Sequence, residues 1–290
     1  MQEEFRQPVY SDGIHDDDSN SVTWGVPLAF VNWVMSIIFA VIPALILIGI
    51  YLVTKPDLMK MIFSRGDEAQ KLLNNSEPIS LLMFIGTFVG QVLTVLLSWA
   101  IVSEFGKRNG VKALGLEWGN FKWYYAILIA LAMLGLAALL QYVLPHHETE
   151  LERYLRMGFP VRLSLMFAAT VGAPIAEEIV YRGVFYSALD KSIGKTGAIT
   201  IITVLFWGVH VAQYYQSISV LVAVFILSFT LTYLRAWTGK LLPCIAVHFI
   251  FNGIQGIGIL RGEQPVASTQ AQPALIIFEL VKGIFQVGAN

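Results

Sequence analysis

Polar and ionisable side chains interrupt three apolar stretches in the second half of this 290-residue chain. They are Glu177-Glu178 with Arg182, then His210, and then His248 with Asn252. An ionised group at the centre of a bilayer costs roughly 2.5–3.5 kcal/mol even on the lenient insertion scale. Three such interruptions on separate stretches predict one shared polar site inside a membrane-embedded helix bundle.

The spacing of the acidic residues divides them into two kinds. On a helix, Glu178 and Arg182 lie four residues apart on one face and can form an ion pair. Glu177 is rotated by about 100° from that face, so we expect it to turn towards a cavity. The alternative is one internal salt-bridge network of all three residues. An unpaired carboxylate in a membrane span favours a functional site instead.

The histidines and the asparagine supply the other groups that hydrolysis needs. His248 and Asn252 share a helix face, so they form either an interhelical clamp or a donor pair for an oxyanion. His210 alone is typical of an interfacial residue, but beside a carboxylate base it can hold a water. No intramembrane serine with a partner base and no His-Glu-x-x-His zinc helix stands out. The simplest chemistry is attack on an amide carbonyl by a water that Glu177 activates, with the oxyanion held by His248 and Asn252.

These residues fall into three ordered motifs, Glu177-Glu178-x-x-x-Arg182, Phe206-x-x-x-His210 and His248-x-x-x-Asn252. Over roughly residues 160–260 the motifs resemble the signature of the CPBP family, which comprises CAAX prenyl proteases of the Rce1 type and bacteriocin-processing relatives. The resemblance implies an intramembrane endopeptidase whose partner is a peptide or lipidated-protein substrate reaching the site from the membrane or the cytoplasm. It implies that Glu177 and His210 share the attacking water, and that Glu178 and Arg182 support the site.

Members of this family have been described both as metal-free glutamate proteases and as metalloproteases. Glu177, His210 and His248 would supply a zinc set of two histidines and one carboxylate with an open position. Because only two histidines reach the site, we favour a mechanism without a cofactor. His146-His147 is a second histidine pair, which we expect in a solvated loop rather than in a metal site.

Composition places the chain among membrane proteins. It is 56% hydrophobic and 13% charged, whereas soluble domains carry about 25% charged and 45–50% apolar residues. A net charge of -1 gives no field that favours nucleic acid as a partner. The one cysteine, Cys244, excludes an intramolecular disulfide and is expected to be a buried thiol.

The predicted fold is an all-α polytopic transmembrane helix bundle with an internal polar cavity. A bilayer needs ~20 apolar helical residues per crossing, and this requirement predicts about seven spans (six to eight) in a multi-pass protein of a prokaryotic cell membrane. The predicted spans are 26–53, 79–102, 123–144, 163–189, 196–211, 218–237 and 241–260. Within the second, Gly86-x-x-x-Gly90 predicts close packing against another helix of the same chain.

Four regions follow from this order. Residues 1–22 are predicted to form an acidic mobile tail, 23–150 the N-terminal transmembrane helices, 151–262 a CPBP-like catalytic core, and 263–290 a C-terminal tail. The last region carries an amphipathic pattern over 274–287 that predicts an interfacial helix. Basic residues divide nine against eight between alternate loops, so the positive-inside rule assigns no orientation.

Two other classes of function compete with hydrolysis. An ion-coupled transporter would also bury glutamate, arginine and histidine, but no matching interrupted segments suggest an inverted repeat. A non-catalytic protein of the same fold, such as an immunity factor or scaffold, would not need an intact set of these side chains. Intramembrane hydrolysis is therefore the leading hypothesis.

Overall fold

A computed structural model describes residues 22–64, 73, 75–144 and 150–262. Every regular secondary-structure element in these residues is a helix, which confirms the all-α prediction. The expected acidic segment through Ser21, the His146-His147 pair and the amphipathic pattern over 274–287 lie outside the described residues.

Six helical runs in the described part of the chain are long and apolar enough to cross a membrane. They are α1 (Val26–Val53), α3 (Glu77–Val102), α5 (Trp123–Val143), the run Phe159–Tyr214, α10 (Ile218–Thr238) and α11 (Leu242–Arg261). Several begin with proline in the first turn, where its missing N–H costs no helical hydrogen bond. The chain is therefore a multi-pass integral membrane protein.

The fourth run crosses the bilayer twice. Its 56 residues would extend for about 84 Å at 1.5 Å per residue, far beyond a hydrocarbon core of about 30 Å. Gly194 interrupts it with a positive φ of 79° and a ψ of 168°. Beyond Gly194 the chain runs back along itself, since the Phe206 ring lies 5.0 Å from that of Tyr181. The six runs thus make the seven crossings that the sequence predicts.

Three short helices lie in the connections: α2 (Pro56–Ser64), α4 (Gly110–Leu114) and α6 (Glu150–Leu155). Asn109 caps α4, because its side chain accepts hydrogen bonds from the Val111 and Lys112 amides. The loop that follows α4 is hydrogen-bonded to the turn between α10 and α11, because the Leu241 amide donates to the Gly115 carbonyl at 2.7 Å.

The same junction contains an exposed ion pair. Lys240 hydrogen-bonds Glu117, and this contact holds the pKa of the Glu117 carboxyl below its usual value. Because the folded-state pKa is lowered, the pair stabilises the fold above the carboxyl's ordinary pKa and loses that effect as pH falls below it.

The two glycines of α3 pack against α1, as predicted. A Cβ added at Gly90 would lie 1.8 Å from the Phe39 carbonyl oxygen, and one at Gly86 would lie 2.3 Å from the Ala44 Cα. Backbones this close require glycine at both positions.

The run Phe159–Tyr214 forms the centre of the bundle and is not uniformly α-helical. In its most apolar stretch of 18 residues, 44% of the residues are buried, against 6% in the corresponding stretch of α1. Two π-helical segments alternate with α-helix along it. In order these are α7 (Phe159–Phe167), π1 (Ala168–Gly172), α8 (Ala173–Glu178), π2 (Ile179–Phe185) and α9 (Tyr186–Tyr214). Single π-helical turns occur frequently at functional sites, and here they flank the segment that ends in Glu177-Glu178.

Candidate active site

The ion pair predicted from spacing is present at the centre of the bundle. Glu178 and Arg182 are both fully buried, and Arg182 Nη1 donates to Glu178 Oε1 at 2.9 Å. The other nitrogens of the guanidinium donate to α10. Nε reaches the Thr232 hydroxyl, and Nη2 reaches both the carbonyl and the hydroxyl of Ser228, each at 3.1 Å. A charge buried this deeply needs such full compensation.

His248 of α11 joins the same carboxylate. Its Nδ1 lies 2.8 Å from Glu178 Oε1. An ionised carboxylate accepts only, so Nδ1 carries the hydrogen. This hydrogen bond turns Nε2 towards Glu177, whose Oε2 is 4.0 Å away. One buried carboxylate thus fixes both the orientation and the tautomer of the ring.

The neighbouring carboxylate has a different environment. The Glu177 side chain is 30% exposed, whereas that of Glu178 is fully buried between Arg182 and His248. The rotation of one helical residue produces this difference. Glu177 is therefore the acidic side chain of the pair that a molecule entering the bundle can reach.

His210 lies near the C-terminal end of α9, and its Nδ1 is 2.7 Å from the Phe206 carbonyl oxygen. A carbonyl only accepts, so Nδ1 donates and Nε2 of the neutral ring remains an acceptor. The ring therefore presents a lone pair of the kind that can hold a water molecule.

Phe206 packs near both imidazoles. Its buried ring lies 4.6 Å from that of His210 and 6.3 Å from that of His248, measured between centroids. The Arg182 guanidinium carbon is 4.5 Å from the same centroid, a cation–π distance. Sequence reasoning used Phe206 only as a motif residue. Its packing role depends on contacts between helices that a motif does not reveal.

Asn252 contacts the first π-helical segment. Its Nδ2 donates to the Ala169 carbonyl at 2.8 Å, which leaves the second amide hydrogen for another acceptor. Gln91 of α3 donates in the same way to the Ala168 carbonyl at 3.1 Å. Two side-chain amides from different helices thus bind consecutive carbonyls of π1. Sequence reasoning missed Gln91, because a single polar residue in a span carries no sign of its partner.

The structure joins Glu178, Arg182 and His248 by hydrogen bonds, and Glu177 lies 4.0 Å from His248. The His210 ring packs against Phe206, and Asn252 bonds π1. The alternative zinc set of Glu177, His210 and His248 stays a prediction. Across the described ranges, no three His, Cys, Asp or Glu side chains are grouped as a metal site. The arrangement offers a reachable carboxylate, an acceptor imidazole and a second imidazole that faces the carboxylate.

Residues 159–254 match a protein-family model described as type II CAAX prenyl endopeptidase Rce1-like. The match includes all six candidate site residues and leaves α1 to α6 outside it. Comparisons with curated proteins and with solved structures gave no match. This match supports the resemblance of the C-terminal segment to the CPBP family.

Proposed function

We propose that this protein hydrolyses a peptide bond inside the membrane with a water molecule that Glu177 activates. The observation that carries the proposal is the contrast between adjacent carboxylates. Glu178 is fully buried and paired, whereas Glu177 is 30% exposed and lies 4.0 Å from His248 Nε2. A general base must be reachable by the water that it deprotonates, and Glu177 meets this condition.

The first step is addition to the carbonyl. The Glu177 carboxylate takes one proton from water, and His210 Nε2 accepts a hydrogen bond from the second hydrogen, which stays on the oxygen. The water oxygen attacks the carbonyl carbon, and the electrons of the C=O double bond move onto oxygen. His248 Nε2–H and the second amide hydrogen of Asn252 stabilise this oxyanion. Donation from Nε2 requires the doubly protonated ring of His248, because Nδ1 already carries the hydrogen that bonds Glu178.

The second step is collapse of the tetrahedral intermediate. The oxyanion re-forms the carbonyl, the C–N bond breaks, and protonated Glu177 gives its proton to the leaving amine. The products are one carboxylic acid and one amine, so a single water molecule is consumed. Because the site lies among apolar helices, its hydrogen bonds to the developing charge are stronger than in water.

The family implies a membrane-associated prenylated protein or peptide as the substrate. We propose that the substrate's scissile bond reaches Glu177 from the membrane or the cytoplasm and that no metal cofactor takes part. Bound zinc in the purified protein, together with loss of cleavage in a chelator and its recovery with zinc, would contradict the metal-free mechanism.

The test is cleavage by the reconstituted full-length protein. The substrates are quenched peptides and a prenylated CAAX reporter, and the proteins are wild type, Glu177→Gln and the control Glu117→Gln, which changes an exposed loop carboxylate. We expect Glu177→Gln to lower kcat by about 10²–10⁴-fold, the usual contribution of a general base. We expect Glu117→Gln to cleave like wild type. Normal cleavage by Glu177→Gln contradicts the mechanism, and a wild type that cleaves nothing across a broad panel contradicts the function.

A further inference from the structure

A second polar cavity lies at the other end of the central run. Its volume is about 520 Å³, and its lining includes Tyr186, Asp190, Lys191, Lys195 and Arg235. Tyr186 follows Glu177 by nine residues, which places it about 13 Å further along the helix at 1.5 Å per residue. The lining includes none of the candidate active-site residues, so this cavity is separate from the candidate active site.

The cavity lies at a membrane–water interface. Lys191 and Lys195 flank the reversal at Gly194, and Arg235 lies in the last turn of α10. Aromatic side chains at the same end are exposed, namely Trp237 at 69% and Trp123 at 63%. Exposed tryptophans at helix ends are typical of the headgroup level of a bilayer.

The lining carries more positive than negative charge. Lys191, Lys195 and Arg235 face a single lining carboxylate, that of Asp190. Arg235 is only 7% exposed, and its guanidinium donates to neutral oxygens, the Gly239 carbonyl at 2.8 Å and the Ser187 hydroxyl at 3.3 Å. These bonds leave the Asp190 carboxylate as the one anionic group of the lining that acts on Arg235. A buried cation in this state favours an anion beside it.

A hydroxyl group without a partner belongs to the same cavity. Tyr186 is 3% exposed. Its buried hydroxyl lies near the Asp190 carboxylate but makes no hydrogen bond within the residues that the structure describes. A buried polar group without a partner is rare in native proteins. An acceptor entering the cavity would supply one, and phosphate oxygens accept from tyrosine, lysine and arginine alike.

We propose that this cavity binds a phosphate ester, namely the headgroup of an anionic phospholipid. The position at the ends of the spans favours the lipid over a soluble ester of the same chemistry, because a lipid phosphate lies at this depth. Juxtamembrane lysine and arginine residues attract anionic headgroups in the same way. The inference does not depend on the proposed hydrolysis.

The experiment measures ligand binding to the full-length protein in a neutral detergent, by native mass spectrometry and thermal unfolding. The probes are phosphatidylglycerol, phosphatidylcholine and soluble glycerol 3-phosphate. We expect phosphatidylglycerol to bind and to raise the Tm, and phosphatidylcholine to do neither. Lys191→Gln/Lys195→Gln should weaken phosphatidylglycerol binding about 25-fold, at about fivefold per lysine. Tyr186→Phe, which removes only the hydroxyl, should weaken it further.

The matched control is Lys107→Gln/Lys122→Gln, which removes two exposed lysines at the same face outside the cavity. This variant should bind phosphatidylglycerol like wild type. If glycerol 3-phosphate binds as tightly as the lipid, and Lys191→Gln/Lys195→Gln loses this binding, the cavity is a phosphate site whose ligand is soluble. Equal binding of both lipids, or equal weakening by both lysine pairs, overturns the proposal. Binding that appears only after Asp16→Asn/Asp17→Asn/Asp18→Asn would assign the cavity to the chain's own acidic segment and overturn it as well.

Discussion

Glu178 receives two donors on one carboxylate oxygen. Arg182 Nη1 and His248 Nδ1 both bond Oε1, at 2.9 and 2.8 Å. The buried Oε2 has no hydrogen-bond partner in the described part of the chain. The carboxylate therefore neutralises the guanidinium and orients the imidazole at once. Glu177 neither neutralises the guanidinium nor orients the imidazole, so the same substitution should affect the two neighbouring acids differently.

Glu178→Gln should destabilise the protein, because it leaves the buried Arg182 guanidinium without a carboxylate. Removing one partner of a buried ion pair costs about 3–5 kcal/mol. Glu177→Gln acts on a partly exposed group and should change the free energy of unfolding by no more than about 0.5 kcal/mol. Reversible unfolding in mixed micelles measures both. Similar losses of stability in the two variants would show that the two acids do not differ in role.

The amides of Asn252 and Gln91 offer a second contrast between single residues. Both donate to a carbonyl of π1, but we propose that only Asn252 also donates to the oxyanion. Asn252→Ala should lower kcat by about 10²–10³-fold, as expected for a lost oxyanion donor. Gln91→Ala loses one ordinary hydrogen bond and should lower kcat by no more than about tenfold.

Steady-state kinetics on the cleaved peptide separate the two amide variants. KM should stay close to the wild-type value in both, since neither amide is proposed to bind the ground-state substrate. Equal decreases in kcat would assign Asn252 to positioning of π1 alone, and the oxyanion would then depend on His248.

At the scale of elements, the helix bounds were predictable and the helix type was not. Length and apolarity define a membrane span, so the predicted 26–53 agrees with Val26–Val53. The π-helical segments π1 and π2 span only five and seven residues, and neither alters the apolar pattern. The carbonyls of π1 are bonded by Gln91 and Asn252, which lie far away in sequence. Residue spacing predicted the Glu178–Arg182 pair because both residues lie on one continuous helical run. The contact between His248 and Glu178 joins two helices, so spacing could not predict it.

The α1–α3 contact gives a test of element packing. Gly90→Ala would place a methyl group 1.8 Å from the Phe39 carbonyl oxygen, so the helices must separate. Overpacking of this kind costs about 1–3 kcal/mol. Gly49→Ala in α1 is the matched control, since its methyl group meets nothing within 4 Å. In a helix interior this change should be neutral or stabilising by up to about 1 kcal/mol.

Unfolding of the two glycine variants under identical detergent conditions decides between them. A Gly90→Ala protein as stable as Gly49→Ala would mean that α1 and α3 do not pack this closely in the membrane. The contact would then have to be replaced by a looser one.

At the scale of the whole molecule, the bundle places its two polar sites at different depths. The candidate active site lies between the buried parts of α8, α9 and α11, whereas the phosphate cavity lies where α9 and α10 meet the interface at Gly194 and Gly239. α1 exposes most of its apolar surface, with Ile46 at 56% and Ile50 at 60%, and this surface faces lipid. The run Phe159–Tyr214 contributes residues to both sites, and its double crossing determines the membrane face to which each site opens.

The double crossing is testable by cysteine labelling. Cys244 is buried and is the one cysteine of the sequence, so new surface cysteines should dominate the signal. Between Lys107 and Tyr215 the chain crosses through α5 and then twice through the run broken at Gly194. Three crossings put Lys107→Cys and Tyr215→Cys on opposite faces. In sealed vesicles of one orientation, a membrane-impermeant thiol reagent should label one variant at once and the other only after permeabilisation. Labelling of both from the same face would mean that Phe159–Tyr214 crosses once, and the phosphate cavity would then lose its position at the interface.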